Sequence, residues 1–286
     1  MNDFKEKLIR LHHCTGVSWK HIFSILKKDP QLNSLYDDQL LISCIPSPAA
    51  NTILKELNSQ SLNDKMSQYK QKGVRMITIF EQEYPSLLRE TYMPPWVLYA
   101  RGDLSLLAKQ HKLAVVGSRQ ATIYGKKTIE ELFPALIENQ IVIVSGLAAG
   151  IDAYAHQKAI QLGGKTIGVI AGGFDYLYPK ENEKLAYAMM KNHLVISEFP
   201  IHTRAQKWHF PQRNRIIAGM SQATLVIEAK QRSGSLITAN YAVQEGRDVF
   251  AVPGHILGPH STGTNELIQQ GAKLIISSQD ILDEII

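Results

Sequence analysis

The stretch that decides the fold is residues 113–152, LAVVGSRQATIYGKKTIEELFPALIENQIVIVSGLAAGID. It opens on an apolar run, Leu113–Val116, with no polar alternation, which suits a strand buried on both faces. Gly117-Ser118-Arg119 follow, then a helix-like stretch over Lys126–Asn139 and a second Val- and Ile-rich run at Ile141–Val144. A second small-residue loop, Ser145-Gly146-Leu147-Ala148-Ala149-Gly150, closes the unit. Strand, loop, helix, strand in this order calls for parallel strands joined by right-handed crossovers.

Outward from there the alternation continues. Thr166–Ile170, Leu194–Ile196, Thr224–Ile227, Val249–Val252 and Lys273–Ile276 read as further strands, and Asp152–Leu162 as a helix. Met76–Phe80 and Trp96–Tyr99 are shorter strand candidates, separated by a segment broken at Pro85, Pro94 and Pro95. Residues 1–65 hold no strand-like run. Phe4, Leu8, Ile9 and Leu11 start one helix, and Ser18 is placed to cap a second that carries Trp19, Ile22, Phe23 and Leu26. The expected class is α/β: an extended Rossmann-like parallel sheet flanked by helices over residues 70–286, with a small all-helical domain over 1–65. Strand order is not readable from these runs.

Composition bounds the function loosely. The 286 residues carry 31 basic and 26 acidic side chains, a net +5, which many enzymes share. The distribution says more, because Arg204, Lys207, Arg213, Arg215, Lys230 and Arg232 fall within one segment opposed only by Glu228. The only cysteines, Cys14 and Cys44, form neither a disulfide framework nor a Cys-x-x-Cys metal spacing, so a reducing compartment is expected. No apolar run approaches a membrane span, and a cytoplasmic protein without membrane partners is expected.

Ligands of open parallel sheets sit at the carboxyl ends of the strands, so the loops after the runs are the candidates. They include Gly117-Ser118-Arg119, Ser145-Gly146 with Gly150, and Ser233-Gly234-Ser235 with Thr238. Glycines let backbone amides face a phosphate and hydroxyls add donors, although any one such loop is also an ordinary strand-to-helix turn. Arg119 is placed to clamp a phosphate, with a surface ion pair as the other reading. Lys180, after Tyr178-Pro179, is either a phosphate contact or a solvated lysine. Arg213-Asn214-Arg215 are expected to open a helix, facing a polyanion or holding a neighbouring loop. Tyr178, Trp208 and Phe210 lie near these charges and suit either base stacking or the core. Neither GxGxxG nor GxxxxGK[ST] occurs, which disfavours a dinucleotide dehydrogenase or a P-loop ATPase. The histidines show no metal spacing, Asp152 and His156 form a pair unless Asp152 caps its helix, and Glu228 lacks a complementary catalytic group.

Taken with Ser197-Glu198-x-Pro200, Glu228-Ala229, Gly246-Arg247, Val252-Pro253-Gly254 and Gly263-x-Asn265-x-Leu267-Ile268, these loops resemble the DNA-processing protein DprA (Smf) family across roughly residues 70–286. The N-terminal helix–Gly-turn–helix pattern is similar to sterile-alpha-motif and helix-hairpin-helix modules, and to the accessory module of Gram-positive members. The resemblance implies a non-enzymatic, cofactor-free homodimer. Such proteins bind incoming single-stranded DNA in natural transformation, work with or displace single-strand binding protein, and load RecA. Carried over, Arg119 and Lys180 would grip phosphates, and Leu267, Ile268 and Leu274 would lie in the dimer and RecA-facing region. Many members continue into a small winged-helix-like domain, and no function resting on it is expected here. Phosphoribohydrolases offer a rival reading, but their Pro-Gly-Gly-x-Gly-Thr loop and following Glu are replaced by Ser233–Thr238 and a distant Glu245.

Overall fold

The computed structural model describes residues 3–286, which fall into two compact units. The first takes in the chain as far as Tyr84 together with Pro95–Tyr99; the second takes Pro85–Pro94 and Ala100–Ile286. The helical part therefore runs further than residue 65, and its unit is not all-helical.

In the first unit, helices α1 (Asp3–His13), α2 (Trp19–Lys28), α3 (Asp38–Cys44), α4 (Ser47–Leu57) and α5 (Gln60–Gln71) precede strand β1 (Arg75–Thr78). Leu8, Ile9 and Leu11 of α1 and Ile22 and Ile25 of α2 are buried together with Leu41, Ile53 and Leu62. Ser18 does cap α2: its hydroxyl accepts from His21 N at 3.3 Å, and His21 Nδ1 accepts from Ser18 N at 3.3 Å.

The second unit contains α6 (Ser86–Arg89), the end of β2 (Val97–Gly102), and then the regular alternation. Its elements are β3 (Lys112–Val116), α7 (Ile123–Glu138), β4 (Val142–Ser145), α8 (Ile151–Gln161), β5 (Thr166–Ile170), α9 (Glu183–Asn192) and β6 (Leu194–Ser197). After these come α10 (His209–Gly219), β7 (Ala223–Val226), α11 (Gly234–Gln244), β8 (Asp248–Ala251), α12 (Thr262–Gln269), β9 (Lys273–Leu274) and α13 (Gln279–Ile285). All seven strands from β3 onward are parallel, in the order β6-β5-β4-β3-β7-β8-β9. From β3 the chain winds outward to β6, returns to β3's free side as β7, and winds away in the other direction. β3 and β7 are paired in register, Leu113 with Ala223 and Val116 with Val226.

The Val and Ile runs are strands because helices cover both faces. Leu113, Val115, Ile143, Leu225 and Phe250 point into one core with Ile129, Phe133 and Leu136 of α7, Ile151, Ala155 and Ala159 of α8, and Ile281 and Ile285 of α13. Right-handed crossovers place α11, which leads away in the opposite sense, on the other face, where it packs on α10. The reversal between β3 and β7 leaves a crevice at their carboxyl ends, because their following loops diverge to opposite faces.

Candidate functional site

That crevice is a groove of about 840 Å³. Gly117, Ser118, Arg119 and Gln120 form one wall and the loop from Lys230 to Ser235 the other, with Ile237 and Thr238 behind it. Tyr178, Lys207, Phe210 and Asn214 complete it, over a floor that includes Asp152 and Arg213. Arg119, Lys207, Lys230 and Arg232 are exposed; Lys230 Nζ also reaches across to Gln120 Oε1 at 3.1 Å, tying the two walls. Tyr178 and Trp208 are more than half exposed, Tyr178 and Phe210 meet edge to face at 5.7 Å, and the Arg119 guanidinium lies 5.6 Å from the Phe210 ring centre.

The floor is a buried charge network. Arg213 Nη1 donates to Gly146 O and, at 2.7 Å, to Val169 O, while Gly146 N donates to Asp152 Oδ2 at 3.1 Å. Burial draws the Arg213 guanidinium down to about 10, against the pull of Asp152, and it stays charged at neutral pH. Burial likewise lifts the Asp152 carboxyl above the usual carboxylate range, although Arg213 opposes the shift. Gly150 is the residue before α8, at φ +78°, and a Cβ there would overlap the backbone of Ser118 and Arg119. It lets the second loop lie directly against the first.

Not every residue expected at the site reaches it. Arg213-Asn214-Arg215 do not open a helix: α10 begins at His209, because Pro211 falls in its first turn, where the missing N–H costs nothing. Two positions apart on a helix are about 200° apart around it, so Arg213 and Arg215 cannot share one ligand. Arg215 points away from the groove to an ion pair with Glu198 and to Met93 O at 2.8 Å. Arg213 is 5% exposed and holds the Gly146 loop, and Asn214 donates to Gly234 O at 3.2 Å. Ser145 is wholly buried with its hydroxyl on Val115 O at 2.6 Å, so it presents nothing to a ligand. The Ser118 hydroxyl folds back onto Gln120, and Ser233 and Ser235 share a bond at 2.7 Å on the groove wall. Lys180 is exposed in a short turn, Lys180–Asn182, but lies outside the groove lining. Its neighbours Pro179 and Glu181 line a smaller cavity of about 200 Å³, shared with Arg119, Gly146 and Phe210.

Asp152 and His156 do not pair. His156 Nδ1 meets Thr166 Oγ1 at 2.6 Å, and Asp152 serves the Gly146 amide, not the end of its own helix. Glu228, 3% exposed, accepts from the Thr122 amide at 3.0 Å and from its hydroxyl, fastening the start of α7 beneath β7's loop. Lys207, Lys230 and Arg232 are the groove cations that the loop motifs alone did not single out; membership of the basic Arg204–Arg232 segment was their only signal. Among the described residues no cluster of His, Cys, Asp or Glu is arranged to hold a metal, and no helix is long and apolar enough to cross a membrane.

Fold and site together define a parallel α/β protein built around a cation-lined groove at its strand switch. The chain belongs to the DNA recombination-mediator protein A family, whose signature spans residues 75–286. It is 43% identical over 267 residues to DNA processing protein DprA of Bacillus subtilis (strain 168), covering 93% of this chain and 88% of that one. It is 52% identical over 207 residues to DprA of Streptococcus pneumoniae, covering 72% and 73%. The X-ray structure of Streptococcus pneumoniae DprA superposes with a TM-score of 0.87 at 40% identity, over 100% of this chain and 99% of that one. A Helicobacter pylori DprA structure, which concerns that protein's unique single-stranded DNA binding mode, matches with a TM-score of 0.67 at 31% identity, over 73% and 94%.

Proposed function

We propose that the groove holds single-stranded DNA by its phosphate backbone and that the chain performs no chemistry on it. In this reading the protein is a cytoplasmic homodimer that protects incoming DNA and, alongside single-strand binding protein, loads RecA onto it during natural transformation and homologous recombination. One observation carries the binding step: three separate loops bring Arg119, Lys207, Lys230 and Arg232 to one groove beside exposed aromatic rings. Spaced cations with flanking rings suit a strand better than a single phosphate. The groove's carboxylate, Asp152, and the nearby Glu228 are both engaged with backbone amides, which supports a role without catalysis.

The test is a salt titration with oligo-dT. Affinity should fall linearly on a log–log plot, with a slope of about 0.7 for each phosphate neutralised. Arg119→Ala should weaken binding to all sequences alike and flatten that slope by roughly one contact's worth. Salt-insensitive or absent binding, together with turnover of a nucleoside monophosphate, would replace this reading with an enzymatic one.

A further inference from the structure

Among the described residues the two most exposed large apolar side chains are neighbours. Ile256 and Leu257 are each 82% exposed, at the tip of the loop between β8 and α12. One exposed aliphatic side chain needs no explanation. Two adjacent ones on a loop fastened at its base do, since the loop does not simply dangle.

The fastenings lead to the groove. Ala229 N donates to His260 O at 2.8 Å, Gly263 N to Ala229 O at 2.8 Å, and Gln231 N to Thr262 Oγ1 at 3.1 Å. The segment carrying Lys230 and Arg232, one groove wall, is thus bonded directly to this loop. Tyr124, in the first turn of α7, holds Pro253 O at 2.6 Å, and Asn265 exchanges two bonds with Gly254 at 3.1 and 3.0 Å. The tip is itself shaped by Leu257 N on His255 Nδ1 at 3.2 Å and Gly258 N on His255 O at 2.8 Å. Neither the 229–244 segment nor the 251–265 segment contains an Asp or Glu. The loop that carries the apolar tip is therefore bonded at its base to a cationic wall, with no acidic residue in either supporting stretch.

We infer that Ile256 and Leu257 form an apolar finger that packs against the bases of a DNA strand as it leaves the groove over the Lys230–Arg232 wall. The inference rests on the reading of the groove as a single-stranded DNA site and extends its footprint. The division of labour is chemical: cations take the phosphates, and the finger takes the faces of bases turned away from them, as apolar wedges do between base steps. An acid-free, cationic flank suits that occupant better than a protein surface, which would bring hydrophobic cover but no reason for the charge.

The experiment compares wild type with Ile256→Ser/Leu257→Ser on oligo-dT carrying 2-aminopurine at successive positions. The double variant should bind about five-fold more weakly, an effect of lost apolar burial, with its salt slope unchanged because no phosphate contact is lost. It should also lose the change in 2-aminopurine fluorescence that wild type produces at the position under the finger. Leu257→Trp, offering a larger stacking face, should bind more tightly, with its added indole fluorescence quenched by DNA. If wild type binds and the double variant matches it in affinity and fluorescence, the finger is overturned and the groove reading stands. If wild type does not bind at all, both fall. A lower mass by light scattering for the double variant, with DNA affinity intact, also overturns the finger and assigns the tip to a contact between copies of the chain.

Discussion

Gly146 and Arg213 compete for one volume: a Cβ built on the glycine would overlap the guanidinium. The absence of a side chain at 146 is therefore what admits the cation beneath the loop, where it bonds Gly146 O and Val169 O. Gly146→Ala should displace the guanidinium from its carbonyls and strand a buried charge, lowering stability by about 3 kcal/mol. Urea unfolding followed by circular dichroism measures this; a loss below about 0.5 kcal/mol would mean the loop yields and the arginine keeps its bonds. At this scale the sequence is half legible. That Gly146 and Gly150 mark a close approach follows from their place after a strand, but whether an arginine on a helix faces ligand or carbonyl depends on the rotation of α10. A register shift of two residues along the chain would have put Arg215 where Arg213 stands.

Elements were more legible than side chains. The strands from β3 to β8 stand within a residue or so of their apolar runs, because burial on both faces leaves an unbroken signature. The start of α10 was not, since Phe210-Pro211 looks like a break but sits where a first turn tolerates proline. At the far edge of the sheet, β9 pairs only with β8 in the parallel order, and its Leu274 and the following Ile276 are 46% and 76% exposed. A short apolar edge of this kind invites pairing with another chain, and it is the part of the proposed dimer surface that the fold presents. Leu267, by contrast, is 8% exposed and packs inward, so a charge there would unfold the unit before it tested any contact. Leu274→Asp should halve the mass seen by light scattering with circular dichroism unchanged; a retained dimer mass would exclude this edge.

The whole molecule adds a pH dependence that no single motif announces. Burial, aided by the nearby Arg213 charge, lowers His156 from the ordinary histidine value to about 3, and burial moves His193 and His209 in the same direction. A group whose folded pKa is depressed in this way takes up its proton first in the unfolded chain. The stability these histidines contribute should thus be flat above about pH 6.5 and fall as the solution is acidified toward 3, by about 1.4 kcal/mol per pH unit from His156 alone. Asp152, displaced upward, works in the opposite sense and only near the carboxylate range. Urea titrations at stepped pH check the slope, and His156→Gln should flatten it; a variant as acid-sensitive as wild type would acquit this histidine. Strand order belongs to this scale as well, and it was illegible because which strand closes beside β3 is settled by the packing of helices far apart in sequence.

That closure has a consequence for the chain while it is being made. Val116 and Val226 are register partners, yet everything from α7 to α10 is synthesised between them. When the Arg119 loop leaves the ribosome its opposite wall does not exist, and bringing the two together closes a long loop whose entropy must be met before the groove is there to reward it. A half-made or clipped chain thus has glycine loops and cations but no cleft between them. On the proposed reading, affinity for a strand therefore arrives in one late step, when both walls are in place.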